Sequence, residues 1–273
     1  MQGYAAAYAR QAMAYIGQII GYKAQWEEDG KRYMEKRNPG GYMFSNADLR
    51  RLIFPLIVEQ ILAVSVGMVD TMMVSSVGEA ATSGVSLVDM VNTLFINIFA
   101  AVATGGAVVS SQYLGQKRQD RACQSADQLL IITGILSLAI MAVCIVFRRE
   151  FLSLLYRGVA EDVMRNARTY LVISAVSYPF LSVYNSCAAL FRSMGNSKIS
   201  MQASIIMNMI NVIGDSIFIF IFRWGVAGAA LASLISRMAA CFILLLRLRN
   251  RNLDIHIGTS LKMNRRMVRQ ILH

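Results

Sequence analysis

Two acidic residues stand inside long apolar segments of this chain. Asp70 lies in IFPLIVEQILAVSVGMVDTMMV, and Asp215 lies in ASIIMNMINVIGDSIFIFIF with Asn211 one helical turn before it. A carboxylate near the centre of a bilayer costs about 2.5 to 3.5 kcal/mol on insertion scales, so it needs a partner or a function to persist there. The two acids therefore predict an ion or proton pathway.

The segment around Asp215 carries a polar stripe. Its members are Ser204, Asn208, Asn211 and Asp215. Spacings of four, three and four positions place them on one face of a helix with 3.6 residues per turn. A carboxylate beside an amide oxygen is typical of hard-cation ligation, so Asn211 and Asp215 are candidate ligands. Hydrogen bonding between helices is the alternative, and it is favoured for Ser204 and Asn208.

The fourth and sixth apolar segments supply further candidates. Tyr170 and Asn185 lie along one polar side of the fourth segment, which Pro179 interrupts. Together with Asn208 they are candidate cavity residues, with aromatic packing as the alternative for the tyrosine. In the sixth segment, GVAGAALASLISR, small residues let another backbone approach closely. Ser233 in that segment is either an additional oxygen ligand or part of a packing face.

The first and second apolar segments contain a proline, glycines and one more acid. Pro55 removes a backbone hydrogen bond, so it predicts either an N-terminal helix turn or a bend. In the second segment, Asp89 is expected near the outer interface, where hydration makes an acid unremarkable, and Gly105 and Gly106 permit close packing or a kink. The residues of the first segment expected to share one side are Pro55, Glu59, Ala63, Gly67 and Asp70.

Six apolar stretches are long enough to cross a hydrocarbon core of about 30 Å. The chain has 273 residues, is 56% hydrophobic and has a positive mean hydropathy. Lipid cannot satisfy an open backbone, so each stretch must be helical. We therefore predict an all-α integral membrane protein, with a six-transmembrane-helix bundle in residues 45–249. The expected spans are about 53–74, 86–112, 126–147, 168–191, 199–222 and 225–248.

The net charge of +11 indicates orientation rather than nucleic-acid binding. If the N-terminus is cytoplasmic, most Lys and Arg residues fall in inside segments, namely the stretch up to Arg51, the QKRQDR loop and the chain from Arg247 onward. The positive-inside rule then predicts an N-in, C-in topology in the lipid bilayer. The exception is the connection over residues 148–168, whose arginines are spaced as on a solvated amphipathic surface helix.

Cysteine and histidine usage excludes several enzyme classes. The four cysteines form no CxxC pair, so they are expected to be small apolar packing residues rather than a disulfide framework or a zinc site. The two histidines, His256 and His273, do not permit HExxH metallochemistry or a Ser-His-Asp triad. An intramembrane aspartyl protease would carry Gly-x-Gly-Asp, but Val212 stands at the first glycine position. We expect no enzyme and no organic cofactor.

The first 44 residues differ in composition from the rest of the chain. Residues 1–44 are Ala- and Tyr-rich and then charged, without a basic region before the apolar part or a clear cleavage site. A signal peptide is therefore a poor explanation. They are an N-terminal extension, either an amphipathic helix on the cytoplasmic leaflet or residues added by an upstream start codon.

Several motifs between about Pro55 and Arg237 resemble the multidrug and toxic compound extrusion (MATE) family of transporters. FPLIVEQ followed by VDTMMVSSVG looks like the first helix of the family, and SSQYLGQKRQDRA looks like its second-to-third connection. LFRSMGNSK resembles the turn before helix five, MINVIGDSIFIF the Asn-x-x-x-Asp segment within it, and GVAGAALASLISR the start of helix six. The resemblance is specific because the motifs occur in the order of the family.

The resemblance implies a cation-coupled antiporter that exports organic, often cationic compounds by alternating access between two six-helix lobes. Tyr170 matches a tyrosine that lines the cavity of the amino-terminal lobe, and Ser233 stands where relatives commonly have threonine. Pro55 matches the proline at which the first helix bends when the acid is neutralised. The coupling ion is Na⁺ or H⁺, with Na⁺ slightly favoured. The matched cation-site residues are Asp70, Asn211 and Asp215.

The resemblance covers one lobe of a twelve-helix fold. No second six-helix pattern follows residue 249, and residues 250–273 form a basic, cytoplasmic loop like the connection into a seventh helix. The chain is thus expected to be an amino-terminal half that needs the missing lobe or a second copy to close the cleft. The alternatives are a lipid-linked oligosaccharide flippase of the same superfamily, with a richly cationic cavity, and a non-transporting fragment or scaffold. The expected location is the plasma membrane, that is, a bacterial inner membrane.

Overall fold

The computed structural model describes residues 46–156 and 158–258, which form seven α-helices and one π-helix. The α-helices are α1 (Asn46–Ser75), α2 (Glu79–Gly115), α3 (Gln119–Val146), α4 (Arg148–Leu155), α5 (Glu161–Ser193), α6 (Ser197–Asp215) and α7 (Gly225–Leu248). The π-helix, Ser216–Ile221, continues α6 without a break. The extension 1–44 lies outside the described residues, as does the tail from residue 259, and what is predicted for them stays a prediction.

Six of these helices are long and apolar enough to cross a membrane. They are α1, α2, α3, α5, α6 with its π-helical continuation, and α7. The shortest apolar span has 23 residues, which is about 34 Å at 1.5 Å per residue and exceeds a hydrocarbon core. The predicted all-α integral membrane bundle of six transmembrane helices is confirmed.

Three spans begin about seven residues earlier than their apolar windows suggest. Helix α2 starts at Glu79, α3 at Gln119 and α5 at Glu161, rather than near residues 86, 126 and 168. Acidic residues in a first turn are stabilised by the helix dipole, so a helix can extend beyond its apolar part. At α5, Asp162 Oδ1 also accepts a 3.0 Å hydrogen bond from Val163 N. The surface helix expected over residues 148–168 is consequently divided between α4 and the first turns of α5.

Helix α5 lies at the centre of the bundle. It packs against α2, α3 and α7 and is the most buried of the six spans. Cys144, Cys187 and Cys241 are buried in the core, as expected for apolar packing residues. Close packing at Gly106 is also present, because a Cβ there would overlap the Leu129 side chain.

Helix α1 is the least buried span. Pro55 is buried, and Glu59 and Asp70 are half-buried, so these three residues share the inner side as predicted. Ala63 and Gly67 are exposed, so their expected position on that side is wrong. Inner positions are spaced by three or four residues, and Leu62 and Val66 occupy the intervening inner turns instead.

Candidate functional site

An acid pair joins α1 to the end of α6. The carboxyl groups of Asp70 and Asp215 adjoin each other, and Asp215 is fully buried. Asp70 Oδ1 and both carboxyl oxygens of Asp215 accept no hydrogen bond from any residue that the structure describes. Ionised carboxylates only accept hydrogen bonds. Two of them in contact therefore require a cation or a shared proton between them.

An amide and a hydroxyl lie next to this acid pair. Asn211 is buried one turn before Asp215, and its Nδ2 donates a 3.3 Å hydrogen bond to Oγ of Ser233 on α7. This bond occupies an amide hydrogen and leaves the amide oxygen of Asn211 and a lone pair of Ser233 as additional oxygen donors. Oxygen donors of this kind suit a hard cation such as Na⁺. The residues predicted to bind a cation thus come from α1, α6 and α7.

The backbone changes its helical form at Asp215. This residue ends α6, and the π-helix begins at the next position. Helical π turns are rare in proteins, and those that occur are often found at functional sites. A Cβ added at Gly214 would lie 2.9 Å from Ala232 Cβ, and one at Gly228 would lie 2.9 Å from Phe218 Cβ. Glycine at both positions lets α7 approach the chain closely beside Asp215. The apolar run SIFIFI carries no signal that distinguishes a π-helix from an α-helix, so this feature could not be predicted from the sequence.

Asp89 is half-buried and held by other side chains rather than freely hydrated. Asn92 Nδ2 donates to Asp89 Oδ1 at 3.3 Å, and Tyr178 OH donates to Asn92 Oδ1 at 2.7 Å. Asp89 also adjoins Tyr170 and lies within electrostatic range of Asp70. Helix α2 begins ten residues earlier, at Glu79, so Asp89 lies about 15 Å along the helix axis. Its contacts with Asn92 and Tyr170 add a third acid to the site.

Arg237, in the sixth span, is a further residue of the site that the sequence pattern did not single out. Its Nη1 donates a 2.6 Å hydrogen bond to Oγ of Ser177 on α5. The guanidinium is close enough to Asp70, Asp89 and Tyr170 to affect each electrostatically. It makes no contact ion pair within 4.0 Å in the described part of the chain. The site therefore contains a permanent positive charge among its acids.

Of the other residues predicted for the site, some lie beside the acids and others lie far from them. Tyr170 is buried beside them. Asn208 and Asn185 each have a buried Nδ2 without a hydrogen-bond partner among residues 46–156 and 158–258, but Asn185 lies 15 residues beyond Tyr170, about 22 Å along α5. Pro55 lies 15 residues before Asp70, also about 22 Å away, and it is inside α1 rather than in its N-terminal turn.

Glu59 forms a second polar contact between α1 and the bundle. Its Oε1 lies 3.8 Å from Arg192 Nη1 and accepts a hydrogen bond from Tyr184 OH at 3.5 Å. Its Oε2 accepts a hydrogen bond from Ser200 Oγ, also at 3.5 Å. Helix α1 is thus held by polar groups at Glu59 and by the acid pair about three turns later.

The site residues fall within a recognised family segment. The family model described as MatE matches residues 55–217. The chain belongs to the MatE family. The matched segment includes Asp70, Asp89 and Asp215 and ends before Ser233 and Arg237, so the family match alone does not include the contribution of α7 to the site.

Curated relatives agree with this membership. The uncharacterized transporter YisQ of Bacillus subtilis (strain 168) is 29% identical over 231 residues, covering 83% of this chain and 49% of the relative. Protein DETOXIFICATION 42 of Arabidopsis thaliana is 36% identical over 126 residues, covering 45% of this chain and 24% of that protein. The chain therefore spans half or less of the length of these relatives.

Solved structures show the same fold. The outward-facing conformation of a multidrug resistance MATE family transporter of the MOP superfamily matches with a TM-score of 0.76 at 22% identity, over 82% of this chain and 50% of that chain. The predicted resemblance to the MATE family is confirmed. Its members are efflux transporters rather than enzymes, and with six spans the MatE chain is an integral protein of the plasma membrane, as expected.

Proposed function

We propose that this MatE chain is the cation-binding, amino-terminal half of an antiporter that exports small organic, mainly cationic compounds. The observation that carries the proposal is the buried acid pair, Asp70 on α1 and Asp215 on α6, whose oxygens lack hydrogen-bond donors among the described residues. The coupling ion is Na⁺ or H⁺. The amide oxygen of Asn211 and the hydroxyl of Ser233 favour Na⁺, because they supply oxygen donors that a proton does not require.

The mechanism depends on the exchange of one positive charge for another. A cation that enters between Asp70 and Asp215 neutralises one of their two negative charges and shifts the balance between inward- and outward-facing states, provided that it binds the two states differently. A cationic organic compound is attracted by the same acids, so ion and compound compete and ion entry releases the compound outward. Helix α1 has few buried residues, so it is the span best able to move in this exchange.

Transport requires more than this lobe. In transporters built from repeats, the substrate site lies at the repeat interface near the middle of the membrane. We infer that a second lobe or a second copy of the chain faces the acid pair and completes the cavity. The acids outnumber Arg237 in the described site, which supports an exporter of cations over a flippase with a cationic cavity.

Equilibrium binding to the purified chain in lipid nanodiscs tests the cation site. Radiolabelled Na⁺ binding and proton uptake are measured for the parent chain, for Asp215→Asn and for Asp120→Asn, whose acid is exposed at the start of α3. We expect saturable binding of one of the two ions in the parent and in Asp120→Asn, and its loss in Asp215→Asn. The proposal is contradicted if the parent chain binds neither Na⁺ nor H⁺, or if all three proteins bind the ion equally.

A further inference from the structure

Arg237 lies at a position in the sixth span where a charged side chain is energetically unfavourable. It lies twelve residues after the start of α7, about 18 Å along the helix and hence near the middle of a span. An arginine there costs about 2.5 to 3.5 kcal/mol on insertion scales unless it is paired. Its guanidinium stays charged, because it cannot be deprotonated in proteins. Ser177 Oγ accepts one of its hydrogen bonds at 2.6 Å, but a neutral hydroxyl does not balance the charge.

The charge balance comes from acids on two other helices. Arg237 lies within electrostatic range of Asp70 on α1 and Asp89 on α2 without a contact ion pair to either in the described chain. Asp215 adjoins Asp70. With all groups ionised, three acids and one arginine leave the cluster with two net negative charges. Arg237 therefore supplies part of the positive charge that a coupling ion would otherwise bring.

The two acids near Arg237 differ in what else they can bind. Asp89 Oδ1 is already held by Asn92, which Tyr178 fixes in turn through a 2.7 Å hydrogen bond. Asp70 Oδ1 is buried and has no hydrogen-bond donor among the residues described. A mobile cation can therefore gain more at Asp70 than at Asp89. The arginine is anchored by Ser177 on α5, the central helix.

We propose that Arg237 is a tethered counter-ion that competes with the coupling cation for Asp70 and has Asp89 as its alternative partner. This inference rests on the cation site proposed above. When a cation binds between Asp70 and Asp215, Arg237 pairs with Asp89. When the cation leaves, Arg237 partly neutralises Asp70, which weakens cation binding and assists release.

Two substitutions should change cation affinity in opposite directions. Arg237→Met removes the competing charge and keeps a long apolar side chain, so we expect Na⁺ to bind about tenfold more tightly. Asp89→Asn keeps the hydrogen bond with Asn92 possible but removes the alternative partner, so Arg237 turns to Asp70 and Na⁺ binds about tenfold more weakly. The double variant loses one charge of each sign and should return to within about threefold of the parent.

The experiment is the binding of radiolabelled Na⁺ to the purified chain in nanodiscs, with proton uptake measured in parallel. If the ion is H⁺, the same variants shift the midpoint of uptake by about one pH unit, up for Arg237→Met and down for Asp89→Asn. The ionisable groups that face this arginine are Asp70, Asp89, Tyr170 and Tyr178. Arg247→Met, an exposed cation on the same helix, is the matched control and should leave binding unchanged.

The outcomes separate this inference from the proposed function. If the parent chain shows no cation binding that depends on Asp215, the proposed function is overturned, and with it the inference. Binding that is present in the parent, lost in Asp215→Asn and unchanged in Arg237→Met or Asp89→Asn would overturn the inference alone. If Arg237→Met does not fold, Asp89→Asn still decides, because Na⁺ binding that is not weakened in that variant overturns the inference.

Discussion

Asn211 and Ser233 are joined by a 3.3 Å hydrogen bond between Nδ2 of the amide on α6 and Oγ of the hydroxyl on α7. The bond fixes the orientation of the amide, because its nitrogen faces α7 and its oxygen is left for another partner. It also connects the helix that carries Asp215 to the helix that carries Arg237. The positions of the ligands and of the counter-ion are therefore mechanically linked.

The Asn211–Ser233 bond predicts how substitutions at position 233 affect ion binding. Ser233→Ala removes both the acceptor for Asn211 and one oxygen donor, so we expect Na⁺ to bind about five- to tenfold more weakly, in line with a lost hydrogen bond of about 1 kcal/mol or slightly more. Ser233→Thr keeps the hydroxyl and should stay within about twofold of the parent. The measurement is radiolabelled Na⁺ binding. Equal losses in the two variants would show that size rather than the hydroxyl matters.

The buried bond between Tyr178 and Asn92 predicts a stability effect. Tyr178→Phe keeps the ring contacts with Phe95 and Phe99 but leaves a buried Asn92 oxygen without its donor, which costs about 1 to 3 kcal/mol. Thermal unfolding in detergent should show a lower Tm. The control is Tyr156→Phe, which breaks a 2.8 Å bond to Leu87 O at a half-buried position and should lower Tm less. A larger effect at Tyr156 would contradict the importance of the buried bond.

The acid pair could be predicted from sequence because Asp70 and Asp215 stand inside apolar segments, where a carboxylate is conspicuous. Asp89 could not, because Tyr170 and Tyr178, which surround it together with Asn92, come from α5, and local spacing does not specify that contact. Arg237 was visible within the sixth span, but its partners lie on α1, α2 and α5, which local spacing does not specify.

The π-helical backbone of Ser216–Ile221 could not be predicted from the sequence either. The six spans follow from length and hydropathy, since lipid allows little besides helix. The π-helix after Asp215 lies beside close contacts of Gly214 with Ala232 of α7 and of Gly228 on α7 with Phe218, and such tertiary contacts leave no periodic pattern. The inner side of α1 was partly predicted, through Glu59 and Asp70, because polar residues mark it; Ala63 and Gly67 carry no such mark.

The tight packing at Gly106 predicts a stability difference between two glycines. Gly106→Ala would place a methyl group against Leu129, and overpacking of this kind costs about 1 to 3 kcal/mol. Gly134→Ala on α3 meets nothing within 4 Å and should stabilise the helix by up to about 1 kcal/mol. Thermal unfolding of both variants checks this. Adding Leu129→Val to Gly106→Ala should recover part of the lost Tm, and no recovery would contradict a clash with Leu129.

The polar contacts of Glu59 predict how firmly α1 is held. Glu59→Gln removes the charge that faces Arg192 at 3.8 Å while keeping an acceptor oxygen for one of Tyr184 and Ser200. A loss of about 1 kcal/mol at this half-buried pair corresponds to about fivefold faster opening, because α1 has little other buried surface. Hydrogen exchange followed by mass spectrometry should therefore show faster exchange in peptides covering residues 55–66. Glu79→Gln, an exposed acid at the start of α2, is the control, and equal exchange in both variants would mean that Glu59 does not hold α1 in place.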